Sequence, residues 1–143
     1  MALGSTTGVT EAVPVPQPLL DARDRVARDF GLPKDWLNSV AGTDMLWLGP
    51  PDGFVERLTT HQYGPSLTIR WASRYDQIHF KLHATVDRGG GKHFTDLVAL
   101  EPTEDELVAA ALWTRTHDPS EGFLMILRDV FTHFEIDHGR LAP

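Results

Sequence analysis

The spacing of apolar residues changes along this chain from a helical period to a strand period and back. Over residues 19–30, Leu20, Val26, Ala27 and Phe30 fall broadly on one side of a helix, and Asp24, Arg25, Arg28 and Asp29 face the other way. Gly31 stands where a C-terminal cap belongs and Pro33 follows it, so the helix is expected to stop at Phe30. Residues 35–40 are expected to form a short helical turn with Trp36 and Leu37 packing inward, ended by Gly42. The period then shortens. Met45-Leu46-Trp47-Leu48 is a short apolar run stopped by Gly49-Pro50-Pro51-Asp52-Gly53. Residues 54–60 and 66–72 are the next expected strands. In the second, Leu67, Ile69 and Trp71 alternate with Thr68 and Arg70, the period of a half-buried strand. Tyr63-Gly64-Pro65 supplies the turn between them.

Residues 75–87 satisfy both periods. Ile78, Phe80, Leu82, Ala84 and Val86 alternate strictly, whereas Ile78, Leu82 and Val86 are also four apart. The spacing Ser73-Arg74-Tyr75-Asp76, a capping box with Asp in place of Glu or Gln, tips the reading to helix. Asp87 to Gly91 reads as a loop. Residues 93–100 form a short helix with Phe94, Leu97 and Leu100 on one face. Pro102-Thr103-Glu104-Asp105-Glu106 is a strong helix start, with Thr103 as cap and Glu106 completing the box; that helix runs to about His117. Asp118-Pro119 breaks it and Ser120 caps a last helix with the stripe Phe123, Leu127, Val130, Phe131 and Phe134. The prolines of Val13-Pro14-Val15-Pro16-Gln17-Pro18 exclude helix there and give an extended arm. The whole reads as an α/β (α+β) domain over residues 19–137, with a small mixed β-sheet, flanking helices and a helical C-terminal half. Residues 1–18 form the extended arm and residues 138–143 a flexible tail.

Composition narrows the functional classes. A chain of 143 residues suits one domain that buries roughly 70% of its unfolded surface, so it folds without staples. There is no cysteine, which excludes disulfides, zinc-thiolate and iron-sulfur sites and a thiol nucleophile. No apolar run approaches the ~18 residues of a membrane span, and the N-terminal stretch has neither the charge nor the apolar core of a secretory signal. A cytoplasmic location without membrane contact is the resulting expectation. A net charge of −7 disfavours unselective nucleic-acid binding, which depends on neutralising phosphates.

Several residue sets invite chemistry. Gly89-Gly90-Gly91-Lys92 suggests a phosphate loop, yet Val86 stands where the first glycine belongs and His93 replaces the hydroxyl residue. His79 and His83 are four apart and share a helix face, as metal ligands would, with His93 or Asp96 as the third donor. Phe80 follows His79 where a zinc hydrolase carries its glutamate. Lys81, between the two histidines, suits contact with a nucleotide phosphate as a point charge; a solvated helix lysine with a buried stem is the other reading. Asp96 faces either a pocket containing Lys81 or water. Ser120 has no His/Asp partners, and its capping role accounts for it.

Taken together, three stretches carry a resemblance. Val26-Ala27-Arg28-Asp29-Phe30-Gly31-Leu32-Pro33-Lys34-Asp35-Trp36-Leu37-Asn38, Ala72-Ser73-Arg74-Tyr75-Asp76-Gln77-Ile78-His79-Phe80-Lys81-Leu82 and Lys92-His93-Phe94-Thr95-Asp96-Leu97 resemble segments of bacterial nucleotidyltransferase-like proteins. These are relatives of the AbiEii-type toxins of type IV toxin–antitoxin systems. Pro102 to Leu107 follows in the expected order, and the similarity covers about residues 19–136. It implies a mixed β-sheet flanked by helices and transfer of a nucleotide from a nucleoside triphosphate to an acceptor such as tRNA. It also implies Mg2+ held by two or three carboxylates. Carried over residue by residue, Lys81 matches the family's lysine, as a catalytic and nucleotide-binding residue. Asp96 matches the second aspartate of its later motif, as a catalytic and metal residue.

The resemblance also marks a gap. The family opens with Gly-Ser and then Asp-x-Asp on a strand. Here Gly4-Ser5 is present, but Gly8 and Thr10 fall at the two aspartate positions, and Glu11 is the nearest carboxylate. His93 stands at the first aspartate of the later motif. The stretch before Leu19 is short for the family's first strand and helix. Three expectations follow: a remnant whose N-terminal elements carried the metal site, a non-catalytic domain that keeps the substrate-binding half, or a longer protein with an earlier start. A nucleotidyltransferase-like domain inactive alone is the leading reading. A non-catalytic module with a protein partner, antitoxin-like or a second copy of itself, is the alternative.

Overall fold

A computed structural model describes residues 15–39 and 49–141. The chain divides into two units, Met1–Pro50 and Pro51–Pro143.

In the first unit, α1 (Gln17–Phe30) starts two residues ahead of the expected Leu19. Pro18 sits in its first turn, where the absent N–H would have had no helical partner, so Gln17 and Pro18 belong to the helix and not to an extended arm. The rest of that arm, residues 1–14, lies outside the described residues. Gly31 closes the helix in the left-handed conformation at φ 65°, and the Leu32 N–H donates to the Ala27 carbonyl at 2.9 Å. Ala27 is buried, but Val26 and Phe30, expected on the same side, are exposed. Residues 34–37 form a turn and bend instead of a helical turn. Trp36 is exposed, contrary to its expected inward packing, and its indole N–H donates to the Arg23 carbonyl at 3.2 Å. Val40 and the expected strand at 45–48 lie outside the described residues.

The second unit opens with turns. The expected strand at 54–60 is a correction: residues 52–57 are successive turns in which Phe54 N–H donates to Pro51 O, Arg57 N–H to Gly53 O and Leu58 N–H to Val55 O. Pro51 lacks a donor for a strand ladder, and Gly53, at φ 73°, takes the left-handed conformation that starts the turn. Strand pairing begins only at β1 (Thr59–Tyr63), which meets β2 (Leu67–Trp71) antiparallel, from Thr59 opposite Trp71 to Tyr63 opposite Leu67. The expected mixed sheet is thus corrected: the described strands form one two-stranded antiparallel sheet. Strand alternation puts His61, Tyr63, Leu67, Ile69 and Trp71 on one side and Thr60, Gln62, Thr68 and Arg70 on the other, but the expected half-burial of β2 is corrected: Leu67 and Trp71 are exposed and Ile69 is partly covered.

The helical period wins over residues 75–87. α2 (Arg74–Arg88) buries Ile78, Leu82 and Val86, and its Ser73 cap accepts from the Asp76 N–H at 3.2 Å. After the Gly89-Gly90-Gly91 loop, α3 (Lys92–Ala99) buries Leu97, with Phe94 and Leu100 packed against the core. α4 (Glu104–Arg115) starts with the complete Thr103/Glu106 capping box. α5 (Glu121–His133) is capped by Ser120 and buries Phe123, Leu124, Leu127, Val130 and Phe131. These helices share one core. The expected flexible tail is another correction. Residues His138–Leu141 form a 3-10 turn that buries Leu141, and Arg140 bridges Glu104 at 2.6 Å and Asp105 at 2.8 Å. Among the described residues no helix is long and apolar enough to cross a membrane.

Arg74 ties three helices together. Its guanidinium donates to the carbonyls of Leu100 and Glu101 beyond α3 and grips Glu106 on α4 at 2.6 and 2.9 Å. The same Glu106 accepts from the Thr103 N–H. One carboxylate therefore completes a helix cap and fixes the angle between chain segments, and the Arg74 guanidinium holds it below the usual glutamate range.

Candidate functional site

Lys81 and Asp96, fifteen residues apart, meet across α2 and α3. The Lys81 ammonium donates to Asp96 Oδ2 at 2.6 Å. Helical spacing places both side chains: Leu82 and Leu97 next to them point into the core, so each polar neighbour emerges at the edge of the α2–α3 contact. About a third of each side chain is exposed. An ammonium has three donors and this ion pair uses one, so the remaining donors can reach a second acceptor. Asp96 is held below the usual carboxylate range, first by the Lys81 hydrogen bond and then by the charges of Lys81, Lys92 and His93. In a chain of net charge −7, this is a local positive cluster around a single carboxylate. The loop beside it carries Gly89 and Gly91 at φ 81° and 71°, and Gly91 is the N-cap of α3. The failed phosphate-loop pattern is therefore a helix-to-helix turn that delivers Lys92 and His93 toward Asp96.

The magnesium implied by the family resemblance needs converging carboxylates. Among the described residues no group of three or more His, Cys, Asp or Glu side chains is arranged to hold a metal ion. Asp96, the carried-over metal residue, already has Oδ2 committed to Lys81. The described residues do not fit a magnesium site. Gly4, Ser5, Gly8, Thr10 and Glu11 lie outside the described residues.

His79 and His83 do share a face, and that face is packed with rings. His79 is buried and its Nδ1–H donates to the Tyr75 carbonyl at 2.9 Å. Burial pushes the imidazole below its ordinary pKa. Its ring lies 4.4 Å from Tyr75 and 5.7 Å from Trp113. His83 sits 5.9 Å from both Trp113 and His117. Neither His93 nor Asp96 joins them as a third metal donor; Asp96 turns to Lys81 instead. The Ser120 hydroxyl accepts from the Phe123 N–H, the capping role expected of it.

Sequence reasoning missed a buried carboxylate. Asp76 is fully buried and receives Arg57 from the turn before β1, with contacts of 2.6, 3.1 and 3.2 Å. The Ser73 hydroxyl also donates to it. Arg57 lies over the Tyr75 ring, 4.8 Å from its centre. The Ser73-x-x-Asp76 spacing signalled a cap, but no local pattern linked Asp76 to an arginine nineteen residues earlier.

No family model matches this chain, and neither the curated proteins nor the solved structures yield a match.

Proposed function

We propose that this chain is a nucleotidyltransferase-like domain of the AbiEii-toxin type that engages nucleotide phosphates through Lys81 and does not catalyse transfer on its own. The observation that carries this reading is the 2.6 Å Lys81–Asp96 ion pair. Asp96 fixes the lysine in one orientation at a partly open edge, while Lys92 adds positive charge. That arrangement suits a polyphosphate, which needs oriented cations more than any covalent group from the protein. The reading of lost transfer chemistry rests on Gly8 and Thr10 at the aspartate positions of the family pattern. No catalytic step is assigned to Asp96; its role is to position Lys81. The test is calorimetric titration of ATP, with and without added magnesium, into the intact chain. Saturable binding that Lys81→Ala weakens is expected. Absence of binding by the intact chain under both conditions removes the reading.

A second reading rests on a different observation. The β1–β2 hairpin leaves Tyr63, Leu67 and Trp71 exposed on one side. A two-stranded hairpin with an uncovered apolar side is marginal by itself and suits association with another chain. A self-associating or partner-binding module predicts a mass above the monomer in light scattering, alone or with the partner. A strict monomer that captures no partner counts against it.

A further inference from the structure

Most arginines of this acidic chain are neutralised. Arg23, Arg28, Arg57, Arg74, Arg88 and Arg140 each hold a carboxylate within ion-pair distance. Arg25, Arg70, Arg115 and Arg128 hold none among the described residues, and of these Arg115 and Arg128 line the same cleft. Arg115 is the last residue of α4, and Arg128 projects from α5. The cleft is open, about 630 Å³, with Leu124, His138 and Leu141 also in its wall. Glu121, the carboxylate among its lining residues, forms no ion pair with either arginine. His138 is fixed by a 2.9 Å hydrogen bond between Nε2 and the Thr132 hydroxyl. Its Nδ1 has no partner among the described residues.

We infer that this cleft binds a phosphate or pyrophosphate group between Arg115 and Arg128, with His138 as a third polar contact. Two like charges facing one cleft repel unless an anion is shared between them. A guanidinium presents a planar fork of donors that matches phosphate oxygens, and two forks on separate helices reach oxygens on different sides of a tetrahedral group. A lone carboxylate would occupy one fork and leave the other unused. The two arginines stand on separate helices, with buried Leu124 and Leu127 on α5 beside Arg128. The site shares no residue with Lys81 and Asp96 and does not depend on the function proposed for them.

The test is titration of inorganic pyrophosphate and, separately, ribose 5-phosphate into the full chain, followed by calorimetry and by the Arg Nε–H signals in NMR. Saturable binding of at least one probe is expected, with shifts at Arg115 and Arg128. Arg115→Gln and Arg128→Gln should each weaken the binding that shifts these arginines by about tenfold, while Arg70→Gln on β2 leaves it unchanged. The tighter probe tells an inorganic polyphosphate from an organic ester. Arg115→Lys and Arg128→Lys keep the charge and guard against loss of fold. No saturable binding by the native chain, no shift at either arginine, or equal affinity in a folded double Gln variant overturns the inference.

Discussion

The Arg57 guanidinium closes on both oxygens of the Asp76 carboxylate, a group with no solvent exposure. The pair joins the turn before the hairpin to the first turn of α2. The partners differ in what each leaves behind. Removing Arg57 strands a buried charge, whereas removing Asp76 leaves a guanidinium whose side chain is already 31% exposed and can turn to water. Arg57→Ala is expected to cost about 3 kcal/mol, the low end for breaking a buried pair because of that exposure. Asp76→Ala should cost less, and the double variant should resemble Asp76→Ala alone. Urea unfolding of the three variants checks the order, and equal losses in both single variants would show that the pair is not buried in this sense.

Glu106 serves two structures at once, the Thr103 cap and the Arg74 joint. Thr103→Ala removes a hydroxyl acceptor and should cost about 1 kcal/mol. Glu106→Ala removes the return half of the box and the Arg74 contact together, so its loss should be larger than that of Thr103→Ala. Thermal unfolding of both variants decides this; a smaller effect for Glu106→Ala contradicts the joint.

Acid should weaken the α2–α4 packing before it reaches the carboxylates. Burial lowers the pKa of His79 and of His117. A lowered folded pKa means that the unfolded chain takes up protons first as pH falls. The stabilisation from keeping these rings neutral is full above the ordinary histidine pKa of about 6.5 and is lost below it, toward the folded values. The melting temperature should therefore fall between pH 7.5 and 5.5. His79→Phe, if it folds, should flatten that fall. A melting temperature independent of pH over this window would contradict the assignment. Asp96 and Glu106, held low by Lys81 and Arg74, add their own losses only at more acid pH.

Leu141 is 2% exposed, near the end of the described chain. Leu141→Ala should cost about 2–3 kcal/mol, a core-sized effect, and Arg140→Ala much less, as exposed ion pairs contribute little. Denaturant midpoints that do not move for Leu141→Ala would restore the flexible tail expected from sequence.

The helical half was legible because its signals are local. Ser73, Thr103 and Ser120 announce helix starts, Gly31 an end, and the stripe from Phe123 to Phe131 a buried face. The strand at 54–60 was misread because Phe54 and Val55 look strand-like while Pro51 and Gly53 bend the backbone, and the bend prevails. Leu141 was missed because a lone leucine among polar residues has no period to read. Lys81 and Asp96 are each candidates from the chain alone, and the structure adds that they form an ion pair. Their direct contact depends on how α2 meets α3, which no short stretch encodes. Arg57 is the clearest gap: its partner lies nineteen residues away, and only the turn brings them together.

The central claim is that Lys81 receives nucleotide phosphates, and the most direct measurement is the ATP dissociation constant of Lys81→Ala beside that of the native chain, with the Arg115→Gln/Arg128→Gln variant as a reference for the other cleft. The account predicts that Lys81→Ala weakens the Lys81-dependent binding by about tenfold or more, the loss expected for one charge-assisted phosphate contact, and that the arginine variant retains it. A native chain that does not bind ATP, or a Lys81→Ala variant that binds it as tightly as the native chain, would contradict the account.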